Sequence, residues 1–248
     1  MKNKDYPASG KKSKKTEIIT EAKHQQDFFN KPDYENSKYK ILHPKNDHQR
    51  QYLESLATNT ITIAIGPPGT AKTLLALYYG FVQRQQGNLE KIYYLKPHVG
   101  CSWERDIGAT PGTLKEKLGD VLLDPVKDNL PVFMSAGEAA YHLDKGTIEA
   151  KLFANIRGAT FRDCLVLLDE AQNLPPEAVK TFLTRLGSNC TMVICGDPNQ
   201  QDVKLINNGL LDCARRLYNL KGVGIVEFTR EDVVRHGLIK HILDRYET

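Results

Sequence analysis

Few short strings restrict a fold as tightly as a β-branched apolar run that meets glycine, two prolines, a second glycine and then lysine. "ITIAIGPPGTAKTLLAL", Ile61 to Leu77, is such a string. The run predicts a strand and the spacing after it predicts a helix over "KTLLALYYGFVQRQ", so Gly66–Thr73 sits where G-x-x-x-x-G-K-[ST] acts as a phosphate loop. Gly66 and Gly69 permit a tight turn that presents backbone N–H groups, with Pro67, Pro68 and Thr70 completing the cradle and the helix aiming its positive end at the same place. Lys72 would bridge the β- and γ-phosphates of a nucleotide, and Thr73 would ligate Mg²⁺. Ala71 departs from the expected glycine. Its place beside the helix predicts right-handed helical angles, which alanine adopts more cheaply than glycine. The competing reading is a plain strand, turn and helix.

The rest of the chain repeats the alternation. "KIYYL", "CLVLLD", "CTMVICG" and "VGIVEFT" read as further strands, and "PPEAVKTFLTRLG", Asn207 to Leu220 and Glu231 to Tyr246 as helices. The pattern predicts an α/β fold with a mainly parallel sheet covered by helices on both faces. Parallel strands end at one edge, where open α/β sheets bind ligands. "CLVLLDEAQN" brings Asp169 and Glu170 to that edge: Asp169 to hold Mg²⁺ through its water shell, Glu170 to orient and deprotonate a water attacking the γ-phosphate. "MVICGDPNQ" brings Gln200, an uncharged amide able to hydrogen-bond a γ-phosphate or its attacking water. Alone, "GDPNQ" reads as an Asx-Pro turn. Tyr93 and Tyr94 read as strand residues with Trp103 anchoring a loop; the alternative is a stacking face for bases.

Basicity is local. The formal charge is +4, yet Met1–Lys45 alone carries eleven lysines against six acidic residues. Up to Tyr39 the chain is polar and poor in aliphatics, which predicts a flexible lysine-rich arm over residues 1–39 and one folded domain over 40–248. Such an arm is either a handle for RNA or DNA phosphates or a solubilising terminus. The start has no signal-peptide apolar run and no segment approaches the length of a membrane span, so a cytoplasmic protein with no membrane contact is expected. Five cysteines form no C-x-x-C pair, which argues against zinc and disulfide frameworks and for reduced thiols.

Taken together, "GPPGTAKT", "LLDEAQN" and "CGDPNQ" resemble the PhoH family of RecA-like ATPases, related to the cores of superfamily-1 helicases. "ILHPKNDHQRQYLESL", "YYLKPHVG", "IGATPGTLKEKL", "NIRGATFRD", "TFLTRLGSN" and "EFTREDVVRHGLIKHILDRYE" also look like family segments, from about Ile41 to Glu247. The resemblance implies a single RecA-like P-loop domain of the short, phage-type form. It further implies Mg²⁺-dependent ATP binding and hydrolysis, coupled to RNA or another single strand in a helicase-like way, and a contact of Gln49 with adenine. With one lobe where helicases have two, it also implies a homo-oligomeric ring, such as a hexamer, in which an arginine reaches the γ-phosphate of a neighbour; Arg235 is the first candidate and Arg230 the second. The chain departs from the family pattern at Ala71, at Lys96 where arginine is usual, and at Arg157–Thr160. Thymidine kinases share "DEAQ" locally but carry paired zinc cysteines, and AAA+ remodelling proteins share "GPPGT" but carry a helical lid.

Overall fold

The computed structural model describes residues 32–97, 114–156, 158–202, 207–234 and 245. Six strands form one sheet: β1 Ile61–Ile65, β2 Lys91–Lys96, β3 Ile148–Leu152, β4 Cys164–Leu168, β5 Cys190–Gly196 and β6 Val223–Glu227. Their order is β3-β2-β4-β5-β1-β6, and every pairing is parallel. β5 therefore separates β1 from β4. This is an α/β fold built on one parallel sheet.

Alternation along the central strands builds a core on each side of the sheet. Ala64, Tyr94, Leu165, Leu167, Val193 and Cys195 face one side, and Ile63, Leu95, Val166, Leu168, Met192 and Ile194 face the other. β4 and β5 are buried throughout, which is why they read as continuous apolar runs. Helices α1 Asp47–Thr58, α2 Lys72–Gln85, α3 Leu114–Asn129 and α4 Ala136–Asp144 contribute to the first side, and α5 Pro176–Leu183 and α6 Gly209–Leu217 to the second. Burial of Val179 and Phe182 on α5 contributes about 1.5–3 kcal/mol per side chain to that layer.

Helix starts follow local chemistry. Asn46 accepts from the Gln49 N–H to cap α1, Ser135 accepts from Glu138 N–H to cap α4, and Asn208 accepts from Leu210 and Leu211 to cap α6. Pro176 occupies the first turn of α5, where a missing N–H costs nothing. α2 has no side-chain cap and springs from Ala71.

Packed chain begins earlier than the expected boundary at Tyr39. The Tyr34 ring stacks on Tyr78 at 5.4 Å, and Tyr39 is 3% exposed, edge-on to Phe81 and Phe133. Two isolated aromatics in a polar stretch carry no periodicity, so composition alone hides them. Residues 1–31 of the expected arm lie outside the described residues.

β3 is a strand that sequence patterning misses, and of the helix expected over 231–246 the described residues are 231–234, where Arg230–Asp232 forms a 3₁₀ turn, and the helical residue 245. Cys164, Cys190, Cys195 and Cys213 are buried free thiols; Cys101 and Trp103 lie outside the described residues. Among the described residues no helix is long and apolar enough to cross a membrane.

Candidate functional site

The strands end together. Beyond β1 comes the loop Gly66–Ala71, beyond β4 come Asp169 and Glu170, and beyond β5 comes Asp197. Backbone bonds lock the tips: Gly66 N–H donates to Gly196 C=O at 3.1 Å, and Asp169 N–H to Leu95 C=O at 2.9 Å. A cavity of about 590 Å³ opens above them, walled by Pro68, Gly69, Ala71, Lys72, Thr73, Asp169, Glu170 and Gln200, with Asp124 and Asp128 of α3 opposite.

The loop needs both of its glycines. Gly69 has φ 82°, open to glycine and costly for other residues. Gly66 has φ 146°, and a Cβ there would stand 2.4 Å from the Phe228 carbonyl. Phe228 is fixed by its own N–H to Ile65 C=O bond, and Val234 N–H donates to Gly69 C=O, so the chain after β6 buttresses the loop.

Ala71 overturns the expected helical angles: its φ is 70° and ψ 23°, left-handed. Adjacency to α2 does not make it a helical residue, because the chain must reverse into the helix axis there. A non-glycine residue in this region costs about 1–2 kcal/mol, and replacement by glycine returns part of that as unfolded-chain entropy. Ala71→Gly is therefore expected to stabilise the protein by about 0.5–1 kcal/mol, raising its melting temperature by about 2 °C in calorimetry. A lower melting temperature would show the half-buried methyl to matter more than the backbone strain.

Lys72 is only 9% exposed. Its ammonium donates to Gly66 C=O at 2.7 Å, Pro67 C=O at 2.8 Å and Thr70 Oγ1 at 3.1 Å. Burial lowers its pKa, opposed by the nearby Cys195, Asp169, Asp197 and Glu170. Thr70 donates its own hydroxyl to Pro67 C=O at 3.0 Å. The structure puts Gln49 beneath this loop, 2% exposed and away from the cavity wall. Its Oε1 accepts from Lys45 N–H at 2.8 Å and its Nε2 donates to Thr70 C=O at 3.2 Å. Both ends of the amide expected to read adenine thus bond protein backbone.

Thr73 donates to Asp169 Oδ2 at 2.9 Å, Tyr94 donates to the same oxygen at 3.0 Å, and Glu170 N–H donates to Asp169 Oδ1 at 3.1 Å. A threonine hydroxyl beside a carboxylate is the hard-oxygen pair that Mg²⁺ accepts while keeping most of its waters, so these two residues fit the expected metal. Glu170 adopts left-handed angles, φ 57° and ψ 37°, strain of the kind that gathers at functional positions. Burial raises its pKa first and the Asp169 charge second, opposed by Gln172 and Lys96.

Gln172 is the residue that sequence reading passed over. Fully buried, it donates to Glu170 Oε2 at 2.6 Å and to Gln200 C=O at 3.0 Å, and accepts from Asp197 N–H at 3.1 Å. Gly196 makes room for it, since a Cβ would stand 2.4 Å from Gln172 Oε1. Gly196 is thus required for space. The only sequence signal was the fourth letter of "DEAQ". Gln200 reaches the shared cavity and, with Lys96, Glu170 and Asn173, a second one of about 360 Å³ beside it. Arg230 lines a third, about 330 Å³, with Pro67, Pro68 and Gln200; Arg235 lies outside the described residues. Lys72, Thr73, Asp169, Glu170 and Gln200 are brought together; Gln49 is not.

Known proteins resemble this chain over most of its length. A PhoH-like protein of Bacillus subtilis (strain 168) is 37% identical over 213 residues, 86% of this chain and 66% of that protein. A PhoH-like protein of Mycobacterium bovis is 38% identical over 208 residues, 84% of this chain and 58% of that one. The protein PhoH of Escherichia coli (strain K12) is 33% identical over 205 residues, 82% of this chain and 57% of that one. The matched chain spans less than two thirds of the length of these relatives. The pattern of the PhoH-like protein family matches residues 41–247, and the chain belongs to that family of P-loop nucleotide-binding proteins.

Proposed function

We propose that this protein binds ATP with Mg²⁺ and hydrolyses it, and that turnover is coupled to RNA or another single strand. The observation that carries the hydrolytic reading is the meeting in one cavity of a buried ammonium, Lys72, with a half-buried carboxylate of raised pKa, Glu170. A cavity of this size holds a small-molecule ligand. Loop N–H groups and the Lys72 ammonium bind and orient the β- and γ-phosphates, concentrating positive charge where the phosphoryl group departs. Thr73 and Asp169 hold the metal, which when bound supplies further neutralisation of phosphate charge. Glu170 accepts a proton from the attacking water, held in place by the Gln172 amide. Gln200, on the loop tied to that same amide, senses the γ-phosphate.

Support for nucleic-acid coupling is the helicase-like resemblance and the eleven lysines of Met1–Lys45, which would engage phosphates in a salt-dependent manner. We further propose a cytoplasmic protein acting as a homo-oligomeric ring, with an arginine, Arg235 before Arg230, reaching a neighbour's site. Phosphate release from ATP alone, rising severalfold with single-stranded RNA, is the expected result of a coupled phosphate assay. Release only when a nucleoside acceptor is added would replace hydrolysis with kinase chemistry, and release indifferent to any strand would make the site a nucleotide switch.

A further inference from the structure

Asp169 has more donors than a metal-binding carboxylate needs. An ionised carboxylate offers about four lone-pair positions. Three are taken by Thr73, Tyr94 and Glu170 N–H, two of them on Oδ2, which leaves the open position on Oδ1. Of the three donors, the Glu170 amide belongs to the turn itself and Thr73 belongs to the phosphate loop. Tyr94 comes from neither. It is on β2, its register partner on β4 is Leu167, and its ring is 1% exposed in the core on the loop's side of the sheet. Tyr94 also lines the cavity, and its hydroxyl bonds Asp169 there. A ring held this way cannot follow Asp169 if the carboxylate turns, so the bond acts as a fixed stop.

We propose that Tyr94 is a positioning residue for the magnesium site, its core-anchored hydroxyl holding the Asp169 carboxylate in the single orientation that leaves Oδ1 available. The inference rests on the nucleotide and magnesium reading of the cavity given above. The Tyr94 hydroxyl donates to Asp169 Oδ2 at 3.0 Å. The proton of Thr73 is spent on the same oxygen, which turns that hydroxyl's lone pairs away from Asp169. Tyr94 and Thr73 together thus define which oxygens remain to meet a cation. Pre-set ligands bind more tightly because no freedom is lost on binding.

Tyr94→Phe removes one hydroxyl and keeps the ring. The test is binding of a fluorescent ATP analogue to the full chain, with magnesium chloride titrated from none to excess. Affinity without magnesium should equal that of the wild type, while the magnesium concentration for half-maximal tightening should rise about tenfold, the range of a hydrogen bond to a charged group. An unchanged or lowered midpoint would overturn the assignment. So would equal weakening with and without magnesium, or a variant that does not fold, because either gives the hydroxyl a general structural role. If the wild type bound the analogue with no response to magnesium, the magnesium reading of the site would fall first, and this inference with it.

Discussion

Glu170→Gln is expected to bind ATP as the wild type does while its turnover falls by about 10²–10⁴-fold, the usual contribution of a positioned base. The substitution keeps the size of the side chain and its bond from Gln172, and removes only the ability to take a proton. Equilibrium binding and single-turnover phosphate release, measured on one preparation, separate the two effects; preserved release would mean that Glu170 is not the base. Burial and the Asp169 charge raise the pKa of Glu170, so in the wild type the acid limb of the pH–rate profile lies above the range of an ordinary glutamate, and activity falls as pH drops through it. Stability runs the other way. The folded chain holds this proton to higher pH than the unfolded chain does, so ionising Glu170 costs stability, and the loss accrues as pH rises from the ordinary value to the raised one. Glu170→Gln escapes that loss and is expected to melt higher than the wild type at neutral pH.

Lys72→Met should cost the most in binding. Methionine retains an apolar stem near Phe228, whose ring centre lies 6.0 Å from the lysine ammonium, so packing survives. What goes is a charge aimed at phosphate and three donated bonds to the loop itself. Charge-assisted bonds contribute about 1.5–3 kcal/mol each; losing two to a nucleotide weakens ATP binding by at least about 100-fold. Isothermal titration in the presence of magnesium checks this. Affinity within a factor of a few of the wild type would show that the loop backbone alone holds the phosphates, with Lys72 serving the loop. Burial lowers the Lys72 pKa, so the folded chain releases this proton at lower pH than the unfolded one. The stability cost of keeping Lys72 charged is therefore relieved as pH rises through the depressed value, and Lys72→Met should lack that alkaline gain.

Strands with strong β-branched or apolar runs were legible in the sequence, because both faces of a central parallel strand are buried and every residue reports it. β3, "IEAKL", was not: at the sheet's edge only Ile148 is buried, and glutamate, alanine and lysine favour helix as much as strand. α1, α3 and α4 were also left unassigned, since polar residues break their apolar period and their caps lie in turn-rich sequence. Within the site, the residues that carry recognisable strings were placed: Lys72, Thr73, Asp169, Glu170 and Gln200. Residues that act through a tertiary contact were not. Tyr94 looks like any strand aromatic until Asp169 is seen beside it, and Gln49 faces the underside of the loop because of where α1 docks. Ala71 shows the limit of reasoning by neighbourhood: one residue from a helix, it has the opposite backbone handedness.

The interposition of β5 between β1 and β4 has a metric consequence. Neighbouring strands lie about 4.8 Å apart, so the strand that feeds the phosphate loop, β1, and the strand that feeds Glu170, β4, stand two ladder steps from each other, about 10 Å. Main-chain pairing therefore sets the stride between the loop and the Glu170 turn, and a point substitution would alter what either tip holds more readily than how far apart the tips are.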